Sequence, residues 1–154
     1  MKEAIGGGWM LGFVAMFIVI FSAYLAISVN YTKAFKVKNK IINLIEENEG
    51  FTTSDKIAVG NTNINDLVSD YTTEAKVYKY LDQIGYSYDI STCPDGFDTE
   101  AYPGGYCIKK IQTSQGAYYK VATFISFEMP LVWLKIKVPI TGETKVIYNV
   151  SDSL

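Results

Sequence analysis

From Ala4 to Thr32 no residue is ionised at neutral pH, and residues 11–27 are almost wholly Leu, Phe, Val, Ile, Met and Ala. Nothing else in the chain narrows its fold so much. A hydrocarbon core of ~30 Å is crossed by about 20 apolar residues in a helix. The stretch therefore predicts a single transmembrane helix within residues 4–29, bounded by Lys2-Glu3 on one side and Lys33 on the other. A cleaved secretory signal is the rival reading, since Ala23-Tyr24-Leu25-Ala26 and Ala26-Ile27-Ser28 weakly mimic a cleavage site. The apolar core of such a signal is normally about 7–15 residues long. Here the run is longer and passes without a break into a second helical pattern, which favours an uncleaved anchor.

That second pattern is amphipathic. No Pro occurs before Pro94, and no Gly stands between Gly12 and Gly50. Ala34, Val37, Ile41 and Leu44 recur at helical spacing, and Phe35, Ile42 and Ile45 widen the stripe. Gly50 occupies the place of a helix C′ residue. The pattern predicts one helix from about residue 4 to 49, ~69 Å long at 1.5 Å per residue. Three segments follow: residues 1–32 as N-terminus and transmembrane helix, 33–50 as its amphipathic extension, and 51–154 as one soluble domain.

Residues 51–68 are rich in Thr, Asn, Asp and Ser and read as a loop. In the next helix Val77, Tyr80, Leu81 and Ile84 share a face, Thr72 or Thr73 caps the start, and Gly85 ends it. The rest reads as strands. Tyr119, Val121, Thr123, Ile125 and Phe127 alternate with Lys120, Ser126 and Glu128. Val132, Leu134, Ile136 and Val138 alternate with Trp133, Lys135 and Lys137, and Val146, Tyr148 and Val150 form a last strand after a Thr141-Gly142 turn. Short connections favour antiparallel neighbours. The expected fold is α+β: a transmembrane helix extended into an amphipathic helix, packed on a small antiparallel sheet with one further helix.

Charge removes several function classes. The chain holds 14 Lys, no Arg and no His, with net charge −2. Residues 51–154 carry 9 Lys against 12 Asp plus Glu, a balance of −3, so no basic face offers itself to nucleic acid. Without His the commonest general base and metal ligand is missing. No phosphate-binding loop, nucleophile elbow or paired-thiol redox motif appears. Neither enzymatic activity nor a cofactor is expected. The abundance of Lys, Ile, Asn and Tyr points to an AT-rich genome.

Four features bear on interactions. Gly8 and Gly12 are spaced G-x-x-x-G, and Ala15, Ser22 and Ala26 continue the small-residue face. Helices in lipid associate through such close backbone approach, so other transmembrane helices join the lipid bilayer as expected partners; Gly and Ala are also simply frequent there. On the protruding helix Lys33, Lys36, Lys38 and Lys40 precede Glu46, Glu47 and Glu49. Lysines beyond a bilayer snorkel to phosphates, or staggered copies pair lysines with glutamates, or the face is simply solvated. The glutamates oppose the helix dipole. Cys93 and Cys107 bracket the turn-rich loop CPDGFDTEAYPGGYC. A disulfide closing such a loop is worth ~3 kcal/mol in the chain-entropy model, and it is favoured over two free thiols. Asp95, Asp98 and Glu100 in that loop lack the spacing of the helix–loop–helix calcium motif, so a solvated acidic loop is the simpler reading.

Two rules then disagree on orientation. The lysines after the helix put the domain in the cytoplasm by the positive-inside rule. The cysteine pair, the Tyr- and Thr-rich domain and the short N-terminal segment put it outside. The extracytoplasmic placement is preferred.

FVAMFIVIFSAYLAISVN running directly into YTKAFKVKNKIINLIEENEG, followed by FISFEMPLVWLKIKV and GETKVI, resembles a type IV pilin or pseudopilin, nearest to the TadE-like minor pseudopilins. The resemblance implies a single-pass protein of the bacterial cytoplasmic membrane that serves as a structural or assembly subunit of a pilus-like or secretion apparatus. One departure is plain. Prepilins carry a Gly before the apolar run and a Glu five residues into the mature chain. After Gly6, Gly7 and Gly8 the fifth residues here are Leu11, Gly12 and Phe13. The alternative is a monomeric, membrane-tethered binding module presenting a Tyr-rich domain.

Overall fold

The computed structural model describes residues 2–58, 63, 67, 69–90, 92–97, 101–128 and 135–148. Helix α1 runs unbroken through Lys2–Glu47, in keeping with the lack of Pro and of any Gly after Gly12. Its end is a Schellman motif: the Gly50 amide donates to the Ile45 carbonyl at 3.0 Å and the Glu49 amide to the Glu46 carbonyl at 3.3 Å. The left-handed C′ residue is Glu49 (φ 54°), one position before the glycine expected there.

Past Tyr31 the helix lies on a sheet. Strands β1 (Tyr106–Thr113), β2 (Gly116–Glu128) and β3 (Lys135–Glu143) form an antiparallel sheet in the order β1-β2-β3. One face carries Tyr106, Ile108, Tyr119, Val121 and Ile125 against Ala34, Val37, Ile41, Leu44 and Ile45 of α1, all buried in one core. The domain that begins at residue 51 thus takes a wall of its core from α1. The opposite face of the sheet, at Cys107, Ala122 and Phe124, is covered by Ile90, Cys93, Phe97 and Ala101. The expected α+β architecture is present.

The shorter helices close the sides. α3 (Thr73–Gln83) starts at the Thr72 cap, whose hydroxyl accepts from the Ala75 amide. It ends in a second Schellman motif with Gly85 at φ 60°. Val77 and Leu81 are buried, and Tyr80 and Ile84 pack partly buried beside them, so the expected face is the one used.

Four strand and loop expectations are corrected. Residues 106–113 form β1, a strand the pattern does not single out, because both faces are buried at its start and exposed at its end, which erases alternation. Thr141-Gly142 is not a turn: both lie in β3, paired with Ala122 and Val121. A side chain at Gly142 would meet Lys38 and Ile42, so this glycine admits α1 close to the strand. Of the strand expected at 146–150, the described residues, 146–148, form one bridge, Ile147 with Ala117. Within the loop expected at 51–68, Asp55–Ala58 forms a short helix, α2, that buries Ile57. Val132, Trp133, Leu134 and Val150 lie outside the described residues.

Candidate functional site

The half of α1 that leaves the domain is the most unusual surface of the molecule. From Trp9 to Val29, apolar side chains stand exposed all round the helix, Trp9 at 71% and Phe17 at 68%. A helix apolar on every side needs an apolar surround. Among the described residues this is the one helix long and apolar enough to cross a membrane. Trp9 and Tyr31 stand 22 residues apart, ~33 Å along the axis, which matches the separation of the two interfaces where amphipathic aromatics settle. Each meets an aromatic ring one turn on: Trp9 is tilted against Phe13 at 5.8 Å, and Tyr31 stacks on Phe35 at 6.4 Å.

The small residues of this segment are open. Gly8 and Gly12 meet nothing, Ala15 and Ala26 are exposed, and a shallow depression lies between Gly8, Trp9, Gly12, Phe13 and Met16. The Ser22 hydroxyl donates to the Ile18 carbonyl at 2.8 Å, so it is satisfied within its own helix. Ala34, Val37, Ile41 and Leu44 differ in kind: they are buried on the chain's own sheet and hold no free face for another helix.

At the junction the lysines are partly engaged. Lys33 Nζ donates to the Gly85 carbonyl at 2.8 Å, at the end of α3. Lys38 Nζ sits 4.4 Å from the centre of the Phe35 ring, while Lys36 is exposed. The last-turn glutamates have a partner for one of them. Glu46 Oε1 accepts the Lys145 amide at 2.9 Å, which offsets the opposition of its charge to the helix dipole. Glu47 and Glu49 face solvent.

Cys93 and Cys107 are joined by a disulfide with Cα atoms 5.9 Å apart. It fastens the 93–97 segment over the far face of the sheet. Asp95 is exposed; Asp98 and Glu100 lie outside the described residues.

One polar cluster escaped sequence reading. Glu74, 4% exposed, accepts the Ser54 amide at 2.6 Å through Oε2. The Ser54 hydroxyl donates to Asp70 Oδ2, whose Oδ1 accepts the Thr72 amide at 3.0 Å and hydroxyl at 2.7 Å. Burial pushes the Glu74 carboxyl above its ordinary value, with the Ser54 amide opposing and the Asp70 charge adding. Burial acts the same way on Asp70, but the bonds from Ser54 and Thr72 and the Lys56 charge together hold it below. Tyr106 is fully buried, and its hydroxyl has no partner among the described residues. Desolvation, then Glu74 and Tyr102, push that phenol well up. Ser54, Asp70, Thr72 and Glu74 join the 50–58 segment to the start of α3, and their hydroxyls and carboxylates serve caps and turns. Side chains so scattered in sequence (54, 70, 72, 74) leave no motif to read.

The chain matches no protein-family model, no curated protein and no solved structure.

Proposed function

We propose that the chain is a membrane-anchored structural or assembly subunit of a pilus-like or secretion apparatus in a bacterial cytoplasmic membrane, its α+β domain extracytoplasmic. One observation carries the reading. A single unbroken helix is sealed into its own sheet over Ala34–Ile45 and bare over Trp9–Val29. A flexible tether would serve a mere anchor; a continuous helix couples the position of the head to the packing of the membrane segment. Gly8, just before the bare stretch, and Gly12, Ala15, Ser22 and Ala26 within it are small residues of the kind through which helices in lipid approach closely. The disulfide favours an oxidising, extracytoplasmic compartment. Engagement of Lys33 and Lys38 within the protein weakens the opposing lysine count. Single cysteines at Gly8, Gly12 or Ala15 test it by crosslinking in native membranes. Adducts with copies or with other membrane proteins are expected, and an exclusively monomeric result overturns the assembly role.

The second reading, a monomeric tethered binding module, draws on the exposure of Tyr71 (81%) and Tyr148 (72%). It predicts that Tyr71→Ala with Tyr148→Ala abolishes ligand capture by the full chain without altering its crosslinking.

A further inference from the structure

The uncharged run of α1, residues 4–32, is 29 residues long, about 43 Å of helix. A hydrocarbon core is ~30 Å thick, so the run exceeds it by roughly 13 Å. Tilting absorbs part of such an excess, but it does not decide which residues meet the membrane surface. The charged end of the run does. Ser28, Thr32 and Lys36 follow one another on one ridge of α1, and Val29 and Lys33 on the next; the five line an open groove of about 400 Å³. A water takes up ~30 Å³, so the groove has room for a lipid headgroup. It spans ~12 Å along the axis. Its lower end, at Ser28 and Val29, lies within the uncharged run, and its upper end, at Lys33 and Lys36, lies beyond it.

Lys33 is held in place. Its Nζ donates to the Gly85 carbonyl at 2.8 Å, just past the end of α3. A carbonyl leaves the charge uncancelled, and an ammonium carries three donors, so two remain for a ligand. A side chain already ordered loses less freedom on binding. Lys36, three residues on, is exposed. None of the five residues lining the groove is acidic. Along α1 the next carboxylate after Lys36 belongs to Glu46, ten positions and ~15 Å away. The Thr32 hydroxyl donates to the Ser28 carbonyl at 2.9 Å, which leaves the two lysines as the groove's charged donors.

We propose that this groove binds the phosphate of an anionic phospholipid, in the leaflet on the side of the α+β domain. The inference rests on the membrane-anchored reading above. An occupant of the groove places an anion between Lys33 and Lys36 and an apolar tail past Val29, which describes a phospholipid and not free phosphate. Lysine stems lie along apolar surface while their ammonium groups reach such phosphates. Two ammonium groups favour a net negative headgroup, such as phosphatidylglycerol, over phosphatidylcholine, whose own cation they repel. Attraction of this kind is worth a factor of about five per lysine. Lys33 also joins the phosphate to the end of α3. The bound lipid therefore sets both the depth of α1 and the seat of the domain on the bilayer.

The full chain in a nonionic detergent is mixed with equal amounts of phosphatidylglycerol and phosphatidylcholine, and retained lipid is counted by native mass spectrometry. Phosphatidylglycerol should be retained in preference by about twenty-fold, two lysines acting together, and inorganic phosphate should not displace it. Lys36→Gln, at an exposed position, should cut the preference about five-fold and leave the unfolding midpoint unchanged. Lys145→Gln, exposed beside Glu46 at the far end of α1, should leave the preference as it was. Equal retention of the two lipids, or an equal loss with Lys145→Gln, overturns the site. Displacement by inorganic phosphate overturns its assignment to lipid. Either result leaves the anchor standing where the chain resists carbonate extraction from membranes. Release by carbonate overturns the anchored reading and the site with it.

Discussion

The Tyr86 hydroxyl bonds both backbone groups of Phe124, accepting its amide at 2.8 Å and donating to its carbonyl at 3.0 Å. β1 has ended one pair earlier, opposite Thr123, so a tyrosine side chain takes the place of the missing strand. On the other side Phe124 faces Pro139. That pair exchanges no ladder bonds, and the proline, which has no amide, sits on an edge strand. Tyr86 thus marks where the three-stranded sheet becomes the two-stranded ribbon.

Tyr86→Phe keeps the ring and leaves both groups of Phe124 buried without their partner. A buried unsatisfied polar group costs about 1–3 kcal/mol. Denaturant unfolding of the detergent-solubilised chain should show a loss in that range or above. A loss near zero would mean that water replaces the hydroxyl.

The two halves of α1 should respond oppositely to truncation. Ile41 is fully buried against the sheet, and Ile→Ala at such a site costs about 2–5 kcal/mol. Leu25 is half exposed and touches no part of the domain core. Leu25→Ala should leave the unfolding midpoint of the domain unchanged. Equal losses at both positions would contradict the division of the helix.

That division was legible in the sequence because both signals are strong: an uncharged run long enough for a bilayer, then Ala34, Val37, Ile41 and Leu44 at helical spacing. β2 was legible at Tyr119, Val121, Thr123 and Ile125 for the same reason, a regular period. β1 was not, because Cys107 turns its side chain to a second core beneath the disulfide loop while its neighbours Tyr106 and Ile108 fill the first. Gly142 misled for a different reason. Its lack of a side chain admits α1, a tertiary demand that looks like turn chemistry when read locally. The Ser54–Asp70–Glu74 cluster joins residues that only the fold brings together.

Two glycines with similar backbone angles should differ in their tolerance of alanine. Gly85 ends α3 at φ 60° with open space where a side chain would go. Gly85→Ala should cost only the left-handed penalty of about 1–2 kcal/mol. Gly105 has φ 82°, and a side chain there would strike the carbonyl and Cβ of Tyr88. Gly105→Ala adds backbone displacement to the same penalty and should cost about 3 kcal/mol or more. Thermal unfolding of the pair checks the order, and a smaller loss at Gly105 would show that the segment around Tyr88 gives way freely.

Removing the disulfide should loosen one side of the sheet. Replacing Cys93 and Cys107 together by alanine opens a loop of separation 14, with an expected loss of ~3 kcal/mol. Limited proteolysis should then cut first near residues 93–97, which lose their attachment to Phe124 and Ala122. In the native chain, thiol-alkylating reagents should label both cysteines only after reduction. Labelling without reduction would remove the argument for an oxidising compartment.

The Ser54–Asp70–Glu74 cluster predicts a pH dependence with a defined sign. Burial raises the Glu74 carboxyl above its ordinary 4.5 in the folded chain. Its contribution is fully present below 4.5 and is lost as pH rises through the folded value, because the charged form is the one that burial penalises. Asp70 runs the other way. Held below 3.8 by Ser54, Thr72 and Lys56 against its own desolvation, it stabilises above 3.8 and fails as pH drops through its folded value. Glu74→Gln keeps an oxygen to accept the Ser54 amide and deletes the first titration alone. Relative to the native chain, the variant should gain stability as pH rises from 4.5 toward neutrality, and the two should fall together in acid. Unfolding midpoints across that interval decide it. Parallel curves above 4.5 would mean that Glu74 reaches water and carries no burial penalty.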